Sequence, residues 1–367
     1  MHHPIRTGVL GLIALLAIAA ACSDQSTPAR PTPLEPGAAQ SAALLPGAAH
    51  RSLTVQPPTS RYGVVVLGDQ LGDPTQGPTV AQYAADAHVG WVRIPLYWEL
   101  LQPNGPNFDP AALALARRKV QNAVNAGLNV YATLEASPSW ARYDRPGCVK
   151  DHRYPPSQDM WIWWQRFVKG MVDSIPDVDY WGIWNEPNAP NFFQTCPETT
   201  AVDGYGLLVE YAAPQIRNTP AVHQAGMKKL VAPEIGGDPN MDAWFNSFMA
   251  GHSGSTDVTS IHQYAYSYDA SAKVTALKWP GKPMWMTESG FWEWADDSTQ
   301  ASQLTNVLQH MQTNGNWDKT FFYELNVTER NYELLRNGTQ QKPAYYCLQA
   351  FIASQPLPHA CTVFPQF

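Results

Sequence analysis

The chain has 367 residues, 44% of them hydrophobic and only 15% charged, with a net charge of −7. A disordered chain inverts that balance, so disorder over most of the length is excluded, and the net charge argues against a nucleic-acid partner because phosphate binding needs a basic face. The length allows one large core or two modest ones, and the 14 Trp, 16 Tyr and 12 Phe suit either core packing or an uncharged ligand with apolar faces.

At the start of the chain, Arg6 leads into the apolar run Val9–Ala21, which is too short to span a bilayer comfortably. The run ends Ala19-Ala20-Ala21-Cys22, and small residues before a cysteine resemble a bacterial lipoprotein processing site, although Ala19 stands where Leu is usual. Residues 1–22 therefore read as an export signal, processed either with lipidation of Cys22 or by ordinary cleavage after an Ala-x-Ala pattern. Both routes take the protein out of the cytoplasm, and the membrane is met only through the anchor. Residues 23–60 hold seven prolines without periodic hydrophobicity and read as a flexible tether. Residues 61–367 are expected to form a single domain.

Export gives the cysteines meaning. Cys148, Cys196, Cys347 and Cys361 permit three pairings. The local pair Cys347–Cys361 would staple the C-terminal tail to the preceding helix, leaving Cys148–Cys196 to join two loops. Metal ligation is disfavoured, because neither Cys-x-x-Cys nor His-x-x-x-His spacing occurs, and no cofactor is expected.

From Arg61 onward, β-branched or aromatic runs alternate with longer 3.6-period segments. The predicted strands are Gly63–Leu67, Trp91–Leu96, Val130–Leu134, Tyr180–Trp184, Lys229–Ala232, Val258–His262, Pro283–Thr287 and Thr320–Tyr323. The second helix shows its caps, with Asp109 at the N-cap, Pro110 at the first helical position and Gly127 beyond the end. The third carries Met160, Trp164, Phe167 and Met171 on one buried stripe. The fourth spans Asp203–Ile216, with Pro214 expected to kink it or end it early. The last spans Pro343–Ser354. Eight such units of about 37 residues fit a (β/α)₈ barrel, and a doubly wound nucleotide-binding sheet lacks support because no Gly-x-Gly-x-x-Gly occurs.

In such a barrel, function sits where strands give way to loops. The fourth strand leads into Asn185-Glu186-Pro187-Asn188 and the seventh into Glu288-Ser289-Gly290. Strands four and seven lie across a narrow mouth, so two carboxylates there would face each other over a bound sugar. Glycoside hydrolysis needs that pair, one protonated to assist the leaving oxygen and one ionised to meet the anomeric carbon. Either motif alone is weak, since a strand-end Glu is more often a cap or an ion-pair partner.

Trp181–Asn188 and Met286–Phe291 resemble the acid/base and nucleophile segments of clan A glycoside hydrolases, the barrel group that retains anomeric configuration. Val92-Arg93-Ile94 with Trp98, Tyr131–Trp140, Ser260–Tyr264 and Lys342–Tyr345 resemble further segments of the same clan, in a style near families 5 and 39. The resemblance implies Glu186 as acid/base and Glu288 as nucleophile. Asn185 would bind the sugar 2-hydroxyl, Arg93 and Tyr264 would hold Glu288 ionised, and His262 would complete the sugar pocket. Trp98 and Trp140 are placed in the cleft lining, against plain core packing. The eighth-strand exit departs from the clan, with Phe322-Tyr323-Glu324-Leu325 where many relatives carry a Trp platform. Glu324 would accept from sugar hydroxyls or pair structurally, and Trp292 or Trp294 would supply the platform. The implied protein is an exported, monomeric, retaining β-glycosidase acting on a poly- or oligosaccharide. The alternative is a catalytically silent carbohydrate-binding barrel.

Overall fold

A computed structural model describes residues 60–67, 79–142, 148, 152–196, 199–237, 240–264, 277–290, 296–313, 317–326 and 332–362. Residues 1–22, expected to be an export signal ending at Cys22, nearly all of the expected tether, Trp292 and Trp294 lie outside the described residues. Eight strands close into a barrel in chain order: β1 (Tyr62–Val65), β2 (Trp91–Tyr97), β3 (Asn129–Glu135), β4 (Tyr180–Ile183), β5 (Lys229–Ile235), β6 (Val258–His262), β7 (Met284–Ser289) and β8 (Lys319–Phe322). Each neighbour pair is parallel, and β8 returns to β1 with Phe321 opposite Gly63. The chain is a (β/α)₈ barrel, and every predicted strand overlaps an observed one.

Strand alternation sorts the side chains into two cores. Val64, Val92, Ile94, Ala132, Leu230, Ile261, Met286 and Phe322 face outward into the main core shared with the helices. Val65, Trp91, Tyr131, Val231, Val258, Trp285 and Phe321 face inward and fill the barrel. The Trp91 and Trp285 rings meet edge to face with centroids 5.5 Å apart, and Tyr180 packs against both. Lys319 closes this apolar plug, its ammonium 4.4 Å from the Trp91 ring centroid, and burial pushes its pKa down.

The helices are α1 (Val80–Asp86), α2 (Trp98–Leu101), α3 (Pro110–Asn125), α4 (Trp161–Ser174), α5 (Ala201–Arg217), α6 (Met241–His252), α7 (Asp297–Thr313) and α8 (Pro343–Ile352). Asp109 caps α3 by accepting from the amides of Ala111 and Ala112, both at 2.9 Å. Trp164, Phe167 and Met171 form the buried stripe of α4, whereas Met160 stands just before its first turn, only partly buried. Pro214 does not end α5 early. It stands three residues from the end, where one missing amide matters little, and the buried Leu208, Ala212, Ala213 and Ile216 hold the helix to the barrel. Pro233 likewise does not end β5. The register with β6 shifts between Val231 and Glu234, and proline is tolerated at such a bulge.

Both expected disulfides are present. Cys148–Cys196 joins the loops after β3 and β4, and Cys347–Cys361 ties α8 to the closing turn His359–Cys361. Two disulfides fit a protein that works outside the cytoplasm. Among the described residues, no helix is long and apolar enough to cross a membrane.

Candidate active site

Two residues beyond the aromatic plug, the same inward-facing strand positions turn polar. Arg93 follows Trp91 on β2, Thr133 follows Tyr131 on β3, and His262 ends β6. Register shifts precede Glu234 on β5, His262 on β6 and Ser289 at the end of β7, and bulges of this kind re-aim side chains at barrel rims.

Arg93 is buried and organises the mouth. Its Nη1 donates to Glu288 Oε1 at 2.5 Å, and its Nη2 donates to Glu234 Oε2 at 2.6 Å and to Asn185 Oδ1 at 3.0 Å. Its Nε donates to the Thr133 hydroxyl at 3.2 Å. Glu288 is 6% exposed, and its second oxygen accepts from the Tyr264 hydroxyl at 2.7 Å. Burial, reinforced by the Glu288 charge, raises the Tyr264 pKa well above the ordinary phenol value, so that hydroxyl stays a donor.

Glu186 reaches the same mouth from a tight turn after β4. Trp184 and Glu186 both adopt left-handed backbone, with φ of 62° and 42°. Non-glycine residues hold that conformation only where the surroundings enforce it, and it clusters at functional sites. The enforcement is visible one strand away. Asn188 clamps the loop to β5, donating from Nδ2 to the Gly236 carbonyl at 3.0 Å and accepting from its amide at 2.7 Å. Gly236 also leaves room for the acid, since a Cβ there would sit 2.7 Å from the Glu186 carboxyl carbon.

His262, fully buried, lies between the carboxylates. Its Nδ1 is 2.9 Å from Glu186 Oε1 and 3.5 Å from Glu288 Oε2, while Nε2 faces Glu234 Oε2 at 3.7 Å. Burial alone would lower its pKa, but Glu288, Glu186 and Glu234 outweigh it and bring the ring up to about 9. Glu186, His262 and Glu288 each offer one donor atom, all within 4.8 Å of one another. That trio fits a metal ion poorly. Glu288 already carries the Arg93 guanidinium at 2.5 Å, and a second cation would sit against it.

Other predicted site residues lie elsewhere. Trp98 is packed in the core against Trp140, Trp164 and Phe167, because the chain turns into α2 there and swings it behind the mouth. Its neighbour Tyr97 keeps the inward register of Arg93 and is 37% exposed. Trp140 is only partly buried and lies edge-on to Trp98, its Nε1 donating to the Gln102 carbonyl at 2.6 Å. Glu324 is fully buried beneath the β8 exit, where its carbonyl accepts from the Leu334 amide, and offers no surface to a sugar. Tyr323 takes the rim instead, edge-on to Tyr264 and Tyr332 with centroids 6.1 and 5.7 Å away.

Two buried or half-buried acids escape the sequence reading. Glu234 is fully buried and accepts from Thr133 Oγ1 at 3.0 Å. Burial opposes its ionisation, but Arg93 and His262 hold its carboxyl below the usual range. Glu135 ends β3, and burial pushes it up to about 8 against the pull of Arg93. The available signal was an acid at the end of each apolar strand.

Comparison with known proteins agrees with this architecture. Residues 161–343 match the family model described as the glycosyl hydrolase catalytic core. No curated protein matches the sequence. Among solved structures, a family 39 glycoside hydrolase from Bacteroides cellulosilyticus superposes with a TM-score of 0.61 at 17% identity, over 82% of this chain and 64% of its own. The present chain thus spans less than two thirds of that relative. A GH5_18 protein from Streptomyces cattleya gives 0.61 at 14% identity, over 82% and 83% of the two chains. An endo-β-1,4-glucanase from Xanthomonas axonopodis gives 0.56 at 17%, over 80% and 99%. The matched segment is that of a glycosyl hydrolase catalytic core, and these solved glycoside hydrolases share the barrel fold of this chain.

Proposed function

We propose that the protein hydrolyses β-glycosidic bonds of a poly- or oligosaccharide with retention of anomeric configuration. The observation that carries this reading is the closeness of Glu186 and Glu288, whose nearest site oxygens lie within 4.8 Å across His262. Retaining enzymes hold their carboxyl groups about 5–5.5 Å apart, whereas inverting enzymes need about 6.5–9.5 Å to admit a water.

Glu288, held by Arg93 and Tyr264, attacks the anomeric carbon as the bond to the leaving oxygen breaks. Glu186 gives its proton to that oxygen. In the second step Glu186, now a carboxylate, takes a proton from water, the water oxygen bonds to the anomeric carbon, and the Glu288 ester is released. Asn185, fixed by Arg93, stands beside the acid to bind a sugar hydroxyl. Tyr97, Tyr264 and Tyr323 supply rings at the rim for the apolar faces of the sugar. The chain's start supports export and lipidation at Cys22, with residues 23–60 as the tether of a monomeric domain.

A panel of aryl β-glycosides and polysaccharides, with product sizes read by mass spectrometry, tests the activity. Release of sugar or of shorter chains is expected. Binding to a polysaccharide without turnover of any member would instead favour the silent sugar-binding barrel.

A further inference from the structure

The mouth contains a third carboxylate that the double-displacement reaction does not use. Glu234 is sealed from solvent and cannot touch a substrate. It nevertheless stays ionised, held by Arg93 Nη2 at 2.6 Å and by the Thr133 hydroxyl at 3.0 Å. The fold makes room for it at Gly182 on β4, where a Cβ would lie 2.0 Å from Glu234 Oε1. Burying a charge is costly, and an apolar side chain would fill the same space at less expense. Its position gives it a task. Glu234 Oε2 lies 3.7 Å from the far nitrogen of the His262 ring, close enough to act by charge though not by a hydrogen bond, while the near nitrogen touches Glu186 at 2.9 Å.

Both nitrogens of His262 therefore face carboxylates, one within hydrogen-bond reach and one by charge alone, and that surrounding negative charge favours the imidazolium. The groups around the ring are Glu186 after β4, Glu234 on β5, Glu288 on β7, Arg93 on β2 and, more distantly, Glu135 on β3. Arg93 and an imidazolium together offset the charges of Glu234 and Glu288, the two carboxylates that Arg93 pairs.

We propose that Glu234 is a positioning residue for the acid/base step: through His262 it holds a fixed cation against Glu186, so that Glu186 becomes a carboxylate without disturbing Glu288. Glu186 passes its proton to the leaving oxygen and His262 Nδ1–H then bonds the new carboxylate. The His262 proton itself is not transferred. The proposal rests on the hydrolytic reading above and adds a residue to it.

The test uses the full-length protein with labelled histidine and the Glu234→Gln variant. In the wild type the His262 resonance, assigned by its loss in His262→Gln, is expected to titrate near about 9. In Glu234→Gln it is expected about one unit lower or more, the midpoint tracking the lost carboxylate. Glu234→Asp, which keeps the charge but withdraws it, is expected between the two, and serves if the Gln variant does not fold. A second readout is kcat/KM on two aryl β-glycosides of the same sugar. Glu234→Gln should lower the rate roughly tenfold or more with a poor leaving group and much less with dinitrophenolate, which departs without a proton. A merely structural role lowers both rates alike. An unchanged His262 titration in both variants, or equal losses on the two substrates, overturns the proposal. Absence of turnover by the wild type would overturn the hydrolytic reading, while the titration would still decide the role of Glu234.

Discussion

The two ends of the barrel are built from the same strands with the same alternation and opposite chemistry. At the floor, Trp91, Tyr131, Trp285 and Phe321 fill the interior with rings, and the cation Lys319 lies against the faces of Trp91 and Trp285. Two residues further along, Arg93, Glu234, His262 and Glu288 occupy the same interior with charge. The floor is held by packing that needs no partner. The mouth is held by pairing, in which each charge depends on another. Stability should therefore respond mainly to changes at the floor, and activity mainly to changes at the mouth.

Removing a mouth carboxylate sharpens that contrast most. Glu288→Ala is expected to lower hydrolysis by roughly four orders of magnitude or more while the melting temperature changes little, since Arg93 keeps Glu234 as a partner. Azide should restore turnover and yield an α-glycosyl azide, detectable by mass spectrometry and NMR. Normal turnover by this variant would refute the nucleophile assignment.

At the floor the expectation reverses. Trp285→Ala removes a ring packed against Trp91, Tyr131, Tyr180 and Phe321 and should cost roughly 3–5 kcal/mol in denaturant titration. Activity per folded molecule should stay within a few-fold of wild type. A large loss of activity in the folded fraction would show that the two layers are not separable.

A smaller effect tests the border between them. Burial holds Glu135 protonated up to about 8, against an ordinary value of 4.5. The folded state binds that proton more tightly than the unfolded one, so stability is lost as pH rises from about 4.5 through 8. Glu135→Gln should match wild type near pH 4 and exceed it at pH 9 by roughly 1–3 kcal/mol in chemical denaturation. Equal curves at both pH values would place Glu135 in effective contact with water.

The strands were legible because period-2 runs bounded by turn residues carry their own signal, and the caps of α3 stood in plain sequence. Glu186 and Glu288 were legible because each sits where an apolar run stops. Depth was not. Trp98 looked suited to the cleft, but one position separates it from inward-facing Tyr97, and only register tells which side each takes. Glu324 follows β8 closely enough to suggest the rim, yet it is fully buried where the returning chain at Leu334 bonds its carbonyl. Glu234 was hidden behind Pro233, because proline normally argues against a continuing strand and the bulge that accommodates it is a tertiary feature.

The most direct test follows product configuration by proton NMR during the first minutes of hydrolysis of a reactive aryl β-glycoside. Glu186 and Glu288 acting by double displacement predict that the β-anomer appears first and mutarotates later. If the α-anomer appears first, the retaining mechanism and the nucleophilic role of Glu288 are both wrong.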